Sequence, residues 1–346
     1  MNISEIAKKA KVSPATVDRV IHNRGRVSVA TIQRVHDIIN ENGFEPNQFA
    51  RNLRLRKQYK FGVLIREFND GDDGYWEILH DGCIAASVDL KFLSAQLVFG
   101  YFNDSPEKSL YKAGMQLLSQ NIDGLILAPN SPEEVEKLLP EIGDIPYAFI
   151  NTSYPGASPL IDTSQNCYIA GKTAGKIMTM LRPSGKVFAT ISHESKSNNI
   201  VQRTASFSDY FCDRKDITII NHVISHNGNI KNQIQDFFSI CPKPDGIFIV
   251  NTSTYLYMDY IDQLTIDRPA IIGYDTVPKN IELLESNRID CLISQQPFSQ
   301  GYNAVQQLYL HQVLGSRECM EKRAPVTILY SENIASYKTT IRERYY

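Results

Sequence analysis

Three of the apolar runs in the chain stop on a residue able to hold a hydroxyl group: YAFIN ends on Asn151, DGIFIVN on Asn251 and AIIGYD on Asp275. An amide side chain both donates and accepts, and a carboxylate only accepts, so together they can satisfy the hydroxyls of a polyhydroxylated ring. Arg203, in NIVQRTASF, adds a fixed fork of donors, and Gln295, in ISQQPFSQGYNAV, a further amide. Tyr75 and Trp76, in DDGYWEIL, offer flat apolar faces to the C–H patches of such a ring. Arginine and aspartate would also discriminate stereochemistry, because a misplaced hydroxyl leaves a buried charge unpaired.

The elements that must position these residues follow from the runs themselves. FGVLI at 61–65, DGLILAP at 123–129, YAFIN at 147–151, KVFATI at 186–191, DGIFIVN at 245–251 and AIIGYD at 270–275 are continuous rather than alternating. That pattern suits strands buried on both faces of a parallel sheet. A stretch from Trp76 and the segments 105–120, 166–181 and 299–314 have the length and periodicity of crossover helices. The expected architecture is doubly wound α/β, and about 285 residues of it exceed what one core usually absorbs, so two lobes are predicted. Ligands of such sheets bind outside the carboxyl ends of the strands. Asn151, Asn251 and Asp275 stand there.

The first sixty residues are of another kind. Ile3, Ile6, Ala7 and Ala10 fall on one face of a helix, Lys11 and Val12 turn the chain, and Ser13 with Pro14 opens a second helix. Val17, Val20 and Ile21 form its buried stripe, leaving Pro14, Ala15, Asp18, Arg19 and His22 on or near the opposite face. Ser28 caps a third helix carrying Ile32, Val35, Ile38 and Ile39, with Gly43 as its stop. Three helices in so short a span read as an all-α helix-turn-helix domain. Residues 1–60 carry a net charge of +7 and the remainder −9, within a whole that is only −2. This asymmetry is the electrostatic footprint of a nucleic-acid module joined to a domain with another task.

Ile6-Ala7, Val12-Ser13, Thr16-Val17, Arg19-Val20, Val27-Ser28, Thr31, Arg34-Val35, Pro46-Asn47, Ala50-Arg51 and Leu53 make this segment resemble the headpiece of the lactose repressor/galactose repressor family of bacterial regulators. Two positions depart from that pattern, Lys11 where glycine is usual and Asp18 where serine is usual. A lysine in a left-handed turn costs about 1 kcal/mol without forbidding the turn. The resemblance implies DNA contacts from Ser13, Pro14, Ala15, Thr16, Arg19, Asn23, Arg24, Ser28 and Thr31, while Asp18, which repels phosphate, either accepts a hydrogen bond from a cytosine amino group or stands away from the DNA. It further implies a hinge helix over 47–60, with Asn47 as its cap, Arg51, Arg54, Arg56 and Lys57 for phosphates and Leu53 as an apolar wedge in the minor groove.

Nearly all of residues 60–335 resembles the ribose-binding type of periplasmic sugar receptor, which is also the effector domain of that repressor family. The resemblance implies that Tyr75 and Trp76 sandwich the sugar ring and that Arg203, Asn251, Asp275 and Gln295 grip hydroxyls. Asn151 and Thr152 replace a usual acidic and basic pair. Expected boundaries are a headpiece over 1–46, the hinge over 47–60 and a type I periplasmic-binding-protein-like effector domain over 61–340. Its N-lobe would comprise 61–161 and 293–322, and its C-lobe 162–291 and 323–340, with crossings near Ile161-Asp162, Cys291-Ile293 and Lys322-Pro325.

No apolar stretch reaches membrane-spanning length and MNISEIAKKA lacks the apolar core of a secretory signal, so a cytoplasmic protein is expected. Six scattered cysteines without C-x-x-C pairs read as buried free thiols, with neither metal nor disulfide framework, and no cofactor is expected. P-loop, G-x-S-x-G, H-E-x-x-H and Rossmann glycine patterns are lacking. Three classes of function remain: a ligand-responsive regulator, a transport receptor, and a sugar-acting enzyme with Asp275 as base. The regulator accounts for both parts of the chain. It implies operator DNA, a small sugar-like effector and a homodimer as partners, a purine or cyclitol being the alternative effector. Replacing Arg19, placed to meet base edges, by alanine is expected to weaken operator binding by about 1–3 kcal/mol and to relax specificity at one base position. Selection of bound sequences from a random DNA pool checks this, and unchanged discrimination would contradict it.

Overall fold

Ile6, Ala7, Ala10, Val17, Val20 and Val35 are almost fully buried against one another, and this small core holds three helices together. The computed structural model describes residues 3–21, 25, 27–42, 58–68, 74–90, 95–264, 267–315 and 323–338. Asn23, Arg24, Asn47, Arg51, Leu53, Arg54, the Gly43 stop and the hinge segment to residue 57 lie outside the described residues. The chain divides into two units, residues 1–57 and 58–346.

In the first unit α1 (Ile3–Ala10), α2 (Pro14–Ile21) and α3 (Val29–Glu41) start where their caps dictate. Ser13 Oγ accepts from the Thr16 N–H at 3.1 Å, and Ser28 Oγ from the Thr31 N–H at 3.3 Å. Lys11 adopts a φ of 54°, the left-handed turn conformation expected between the first two helices. The turn closes through a bond from the Val12 N–H to the Ala7 carbonyl at 3.0 Å. Arg34 ties α3 back to the carbonyl of Ala10 at 3.3 Å.

The second unit opens with β1 (Tyr59–Arg66), α4 (Tyr75–Asp89), β2 (Ala95–Phe102), α5 (Leu110–Leu118), β3 (Gly124–Leu127), α6 (Pro132–Ile142), β4 (Tyr147–Phe149) and β5 (Ile161–Asp162). Its first sheet has the parallel order β2-β1-β3-β4-β5. There follow α7 (Cys167–Leu181), β6 (Val187–His193), α8 (Asn198–Tyr210), β7 (Thr218–Ile224), α9 (Ile230–Ile240), β8 (Gly246–Ile249), α10 (Thr254–Leu264), β9 (Ala270–Tyr274), α11 (Pro278–Glu285) and β10 (Cys291–Ser294). After β10, α12 (Pro297–Leu314) returns to pack on α4, and β11 (Thr327–Leu329) closes the second sheet, ordered β11-β10-β9-β8-β6-β7. The two sheets thus repeat one winding, with the chain reversing direction between β1 and β3 and between β6 and β8. Among the described residues, β11 alone runs antiparallel to its neighbour.

Four expectations are corrected. Strand β1 begins inside the span assigned to the linker, because Tyr59 is buried in the first lobe's core and the Lys60 N–H bonds Asp123 Oδ2 at 2.9 Å. The second crossing falls after Ser294 rather than at Cys291–Ile293, because CLIS is a fully buried strand paired with both β9 and β11. Gln296, with a φ of 52°, then makes the turn and Pro297 opens α12. The helix expected over 105–120 is divided, since Ser105 caps a short 3-10 turn and Ser109 caps α5 separately. Cys212, expected to be a buried thiol, is exposed just past the end of α8.

Helices α4 and α12 approach through reciprocal glycines. A Cβ on Gly82 would lie 2.1 Å from the Phe298 carbonyl oxygen, and one on Gly301 would lie 2.3 Å from that of Leu79. Both obstacles are backbone and neither can swing away. Gly82→Ala is therefore expected to destabilise the second unit by about 1–3 kcal/mol, the usual penalty of overpacking. Chemical denaturation read by far-ultraviolet circular dichroism checks this, and an unchanged midpoint would contradict it.

Candidate functional site

Asn151 and Asp275 each follow a strand, β4 and β9, and each takes a left-handed backbone, with φ of 64° and 69°. Asparagine and aspartate are the L-residues that tolerate this conformation best. The turn at each strand end places the side chain in the wall of a cleft between the two lobes. This cleft has a volume of about 740 Å³, and Tyr75, Trp76, Asn151, Arg203, Asn251, Asp275 and Gln295 all line it. The seven residues singled out in the sequence are brought together.

Arg203, on α8, is 1 % exposed, and its charge requires compensation. Its guanidinium donates to Gln295 Oε1 at 3.1 Å and to the Val250 carbonyl at 3.3 Å, and its Cζ lies 3.8 Å from the centre of the Tyr274 ring. Gln295 passes the polarity on, donating to Asp275 Oδ1 at 2.9 Å, while Thr252 donates to Asp275 Oδ2 at 2.7 Å. Burial opposes the Arg203 charge, but Tyr274, Cys167 and Asp275 more than offset it and raise its pKa. The result is a buried cation and a buried anion bridged by one amide.

The wall from the first lobe is organised around Asn151. Its Nδ2 donates to the Tyr75 hydroxyl at 2.8 Å, and its Oδ1 accepts from Asn130 at 3.1 Å and from Asn199 at 3.2 Å. Burial and the Asp275 charge push the Tyr75 phenol well above its ordinary pKa, so it stays neutral. The Tyr75 and Trp76 rings meet edge to face, at 87° with centroids 5.2 Å apart. The expected sandwich is therefore not made by these two rings as parallel plates. Tyr75 is fixed by Asn151, and Trp76 is the half-buried member of the pair.

Three buried side-chain atoms on residues lining the cleft have no hydrogen-bond partner in the protein: Asn130 Oδ1, Asn251 Oδ1 and Arg203 Nε. Two acceptors and a cationic donor left in this state cost free energy unless an incoming polar molecule satisfies them. Among the described residues, no group of three or more histidine, cysteine or acidic side chains is placed to hold a metal.

Sequence reasoning missed Asn130, His193, Asn199 and Thr252. Asn130 and His193 also stand at strand ends, after β3 and at the close of β6, so the rule that found Asp275 reaches them too. Asn199 lies in the first turn of α8 and Thr252 one residue past Asn251, and neither carries a pattern of its own. In the first unit Ser13, Pro14, Ala15, Arg19 and Ser28 are exposed, and Thr16, Asp18 and Thr31 are half-buried. Ser13 and Ser28 are also engaged as helix caps. Among the described residues, no helix is long and apolar enough to cross a membrane.

Comparison with known proteins agrees with this division. Residues 2–47 match the family described as bacterial regulatory proteins, lacI family, and residues 68–315 match that described as periplasmic binding protein domain. A sucrose operon repressor of Staphylococcus xylosus is 47% identical over 68 residues, 20% of this chain and 21% of that protein. An HTH-type transcriptional regulator of Lachnoclostridium phytofermentans is 28% identical over 218 residues, 60% of each chain. The chain thus matches from about a fifth to three fifths of the length of these relatives. A putative LacI transcriptional regulator of Bacteroides fragilis superposes with a TM-score of 0.74 at 23% identity, covering 81% of this chain and 100% of that one. A glucose-galactose binding protein of Geobacillus stearothermophilus gives a TM-score of 0.70 at 21% identity, covering 80% and 99%. The two halves of the sequence, the doubly wound lobes and the cleft between them lead to one conclusion: the chain belongs to the periplasmic binding protein domain family, and carries ahead of that domain a segment of the lacI family of bacterial regulatory proteins.

Proposed function

We propose that this protein is a sequence-specific DNA-binding transcription regulator, acting as a repressor, whose operator affinity is controlled by a sugar-like ligand held between its two lobes. The observation that carries this reading is the pairing of two features in one chain. A basic three-helix unit exposes Pro14, Ala15 and Arg19, and a separate unit holds a cleft with buried, unsatisfied polar atoms. A transport receptor would leave the first feature without a purpose. An enzyme would need an available base, whereas both oxygens of Asp275 are engaged by Gln295 and Thr252. We place its action in the cytoplasm, with the DNA.

Each operator-binding form is a two-fold dimer in this proposal, because one small headpiece buries too little surface to select a site in a genome. A surface suited to self-association lies on α4 and β2. His80, Ile84 and Val88 follow one another at four-residue spacing on α4, and Ile84 and Val88 are 38% and 58% exposed. Beside them Phe99 stacks on Tyr101 with centroids 6.0 Å apart, and His80 lies 4.5 Å from Phe99. Contiguous apolar surface of this kind on both copies fits an isologous interface.

Ligand control rests on Asp275. Asp275→Asn keeps the shape and the tolerance of a left-handed backbone while removing the charge, so operator binding by the ligand-free protein is expected to persist. Ligand affinity is expected to fall by about 1.5–3 kcal/mol, the worth of a hydrogen bond to a charged group. Operator gel shifts across a panel of sugars and cyclitols check this, and a normal ligand response in the variant would contradict it. For assembly, Val88→Asp is expected to shift the protein from dimer towards monomer in light scattering at micromolar concentration, with loss of palindromic operator selection. A wild-type monomer that selects a non-repeated site would overturn the dimer.

A further inference from the structure

Beyond the cluster around Arg203 the cleft continues across both lobes. Gln295 follows β10, Asp275 follows β9 and Asn251 follows β8, but the lining also includes His193 at the end of β6 and His226 just past β7. These strands are neighbours in the order β10-β9-β8-β6-β7. At about 4.8 Å per strand, the trough runs on the order of 19 Å from Gln295 to His226. On the facing wall the lining extends likewise to Arg66 at the end of β1 and Asp104 past β2.

The volume agrees with that length. At 740 Å³ the cleft stands well inside the roughly 300–1,000 Å³ of clefts that take drug-sized ligands, so it has room for more than one ring. The cleft is not a gaping one, because contacts already cross it. Lys196 beyond β6 pairs with Glu133 on α6, Asn199 Nδ2 bonds Asn151, and Asn198 donates to Ser153 Oγ at 3.3 Å.

The chemistry of the far end suits a neutral ring. His193 and His226 set their rings 5.5 Å apart, and His226 Nε2 lies 2.8 Å from the Glu194 carbonyl. Burial above all, with smaller contributions from the neighbouring His226 and Arg66, pushes the His193 pKa down to about 4, so its ring is neutral at physiological pH. Arg66 pairs with Asp104 through both guanidinium nitrogens. Among the described residues, the cations lining the far end, Arg66 and Lys196, are both ion-paired, and what is offered there is flat rings and hydrogen-bonding edges.

We infer that the cleft has two subsites and takes a neutral disaccharide, one ring held by the Arg203–Gln295–Asp275 cluster and the second against His193, His226 and the Arg66–Asp104 pair. This rests on the sugar-sensing reading proposed above and assigns its ligand class. The test is isothermal titration calorimetry of the full chain with glucose, galactose and fructose, and with maltose, cellobiose, lactose, melibiose, trehalose and sucrose. One disaccharide is expected to bind at least tenfold more tightly than either of its component monosaccharides. His226→Ala, an exposed position whose loss spares the fold, is expected to weaken that disaccharide about tenfold, the worth of one ring contact, and to leave the monosaccharide unchanged. A monosaccharide binding as tightly as the disaccharides that contain it, or a disaccharide indifferent to His226→Ala, would overturn the second subsite while sparing sugar sensing. Binding of none of these carbohydrates would overturn both.

Discussion

A guanidinium buried to 1 % exposure is the constraint around which the cleft is organised. An unpaired charge in such a place is costly, and a paired one is tolerable only if its remaining hydrogen-bonding positions are filled. Arg203 meets the requirement by drawing on four elements at once: it sits on α8, bonds the end of β8 through Val250, stacks on Tyr274 of β9 and bonds Gln295 just past β10. Asp275 completes the arrangement at one remove. The Nε of Arg203 is still without a protein partner, as is Asn251 Oδ1, so the cluster is balanced in charge and incomplete in hydrogen bonding. A polar ligand completes it.

The rest of the second unit holds this cluster opposite its other wall. Both sheets reverse direction between their first and third strands, and the crevice at such a reversal is where open α/β sheets bind ligands. Facing two such sheets doubles the site. Within the first lobe the glycine contacts between α4 and α12 fix the helix that carries Tyr75 and Trp76, whereas the links between the lobes are single strands of chain near 163–166, 295–296 and 323–326. A ligand that bonds Asn151 on one side and Asp275 on the other biases how the lobes stand, and that differential contact is what any ligand-driven switch requires.

Much of this was legible in the sequence because burial on both faces leaves a simple trace. The six strands read as continuous apolar runs are central or well-covered members of their sheets, and the polar residue ending each of three runs lies in the cleft. Strands β2 and β7 escaped because they are edge strands, half-exposed along their length, and AQLVFGYF and TIINHVI mix exposed and buried positions accordingly. Cys291–Ser294 is as long as β3 and β8, but its apolar run between Asp290 and Ser294 is only Cys-Leu-Ile, so it reads as a crossing. The partners inside the cleft were less readable still. Nothing local relates Asn199 to Asn151, whose bond depends on how the two lobes face each other, or Thr252 to Asp275, whose bond depends on β8 and β9 lying side by side in one sheet. The edge-to-face setting of Tyr75 and Trp76 likewise depends on the bond that Asn151 makes to Tyr75.

The chain contains a single tryptophan, Trp76, and it lines the cleft. Its fluorescence, excited beyond the tyrosine absorption, is therefore a reporter placed at the proposed ligand, with no second tryptophan to compete. The most direct measurement is a titration of the full chain with the carbohydrate that calorimetry identifies, reading Trp76 emission and, in the same samples, anisotropy of a labelled operator. The account predicts a saturable change in emission whose midpoint coincides with the change in operator binding. Carbohydrate binding that leaves Trp76 emission unaltered, or that saturates the cleft without any effect on the operator complex, would contradict it.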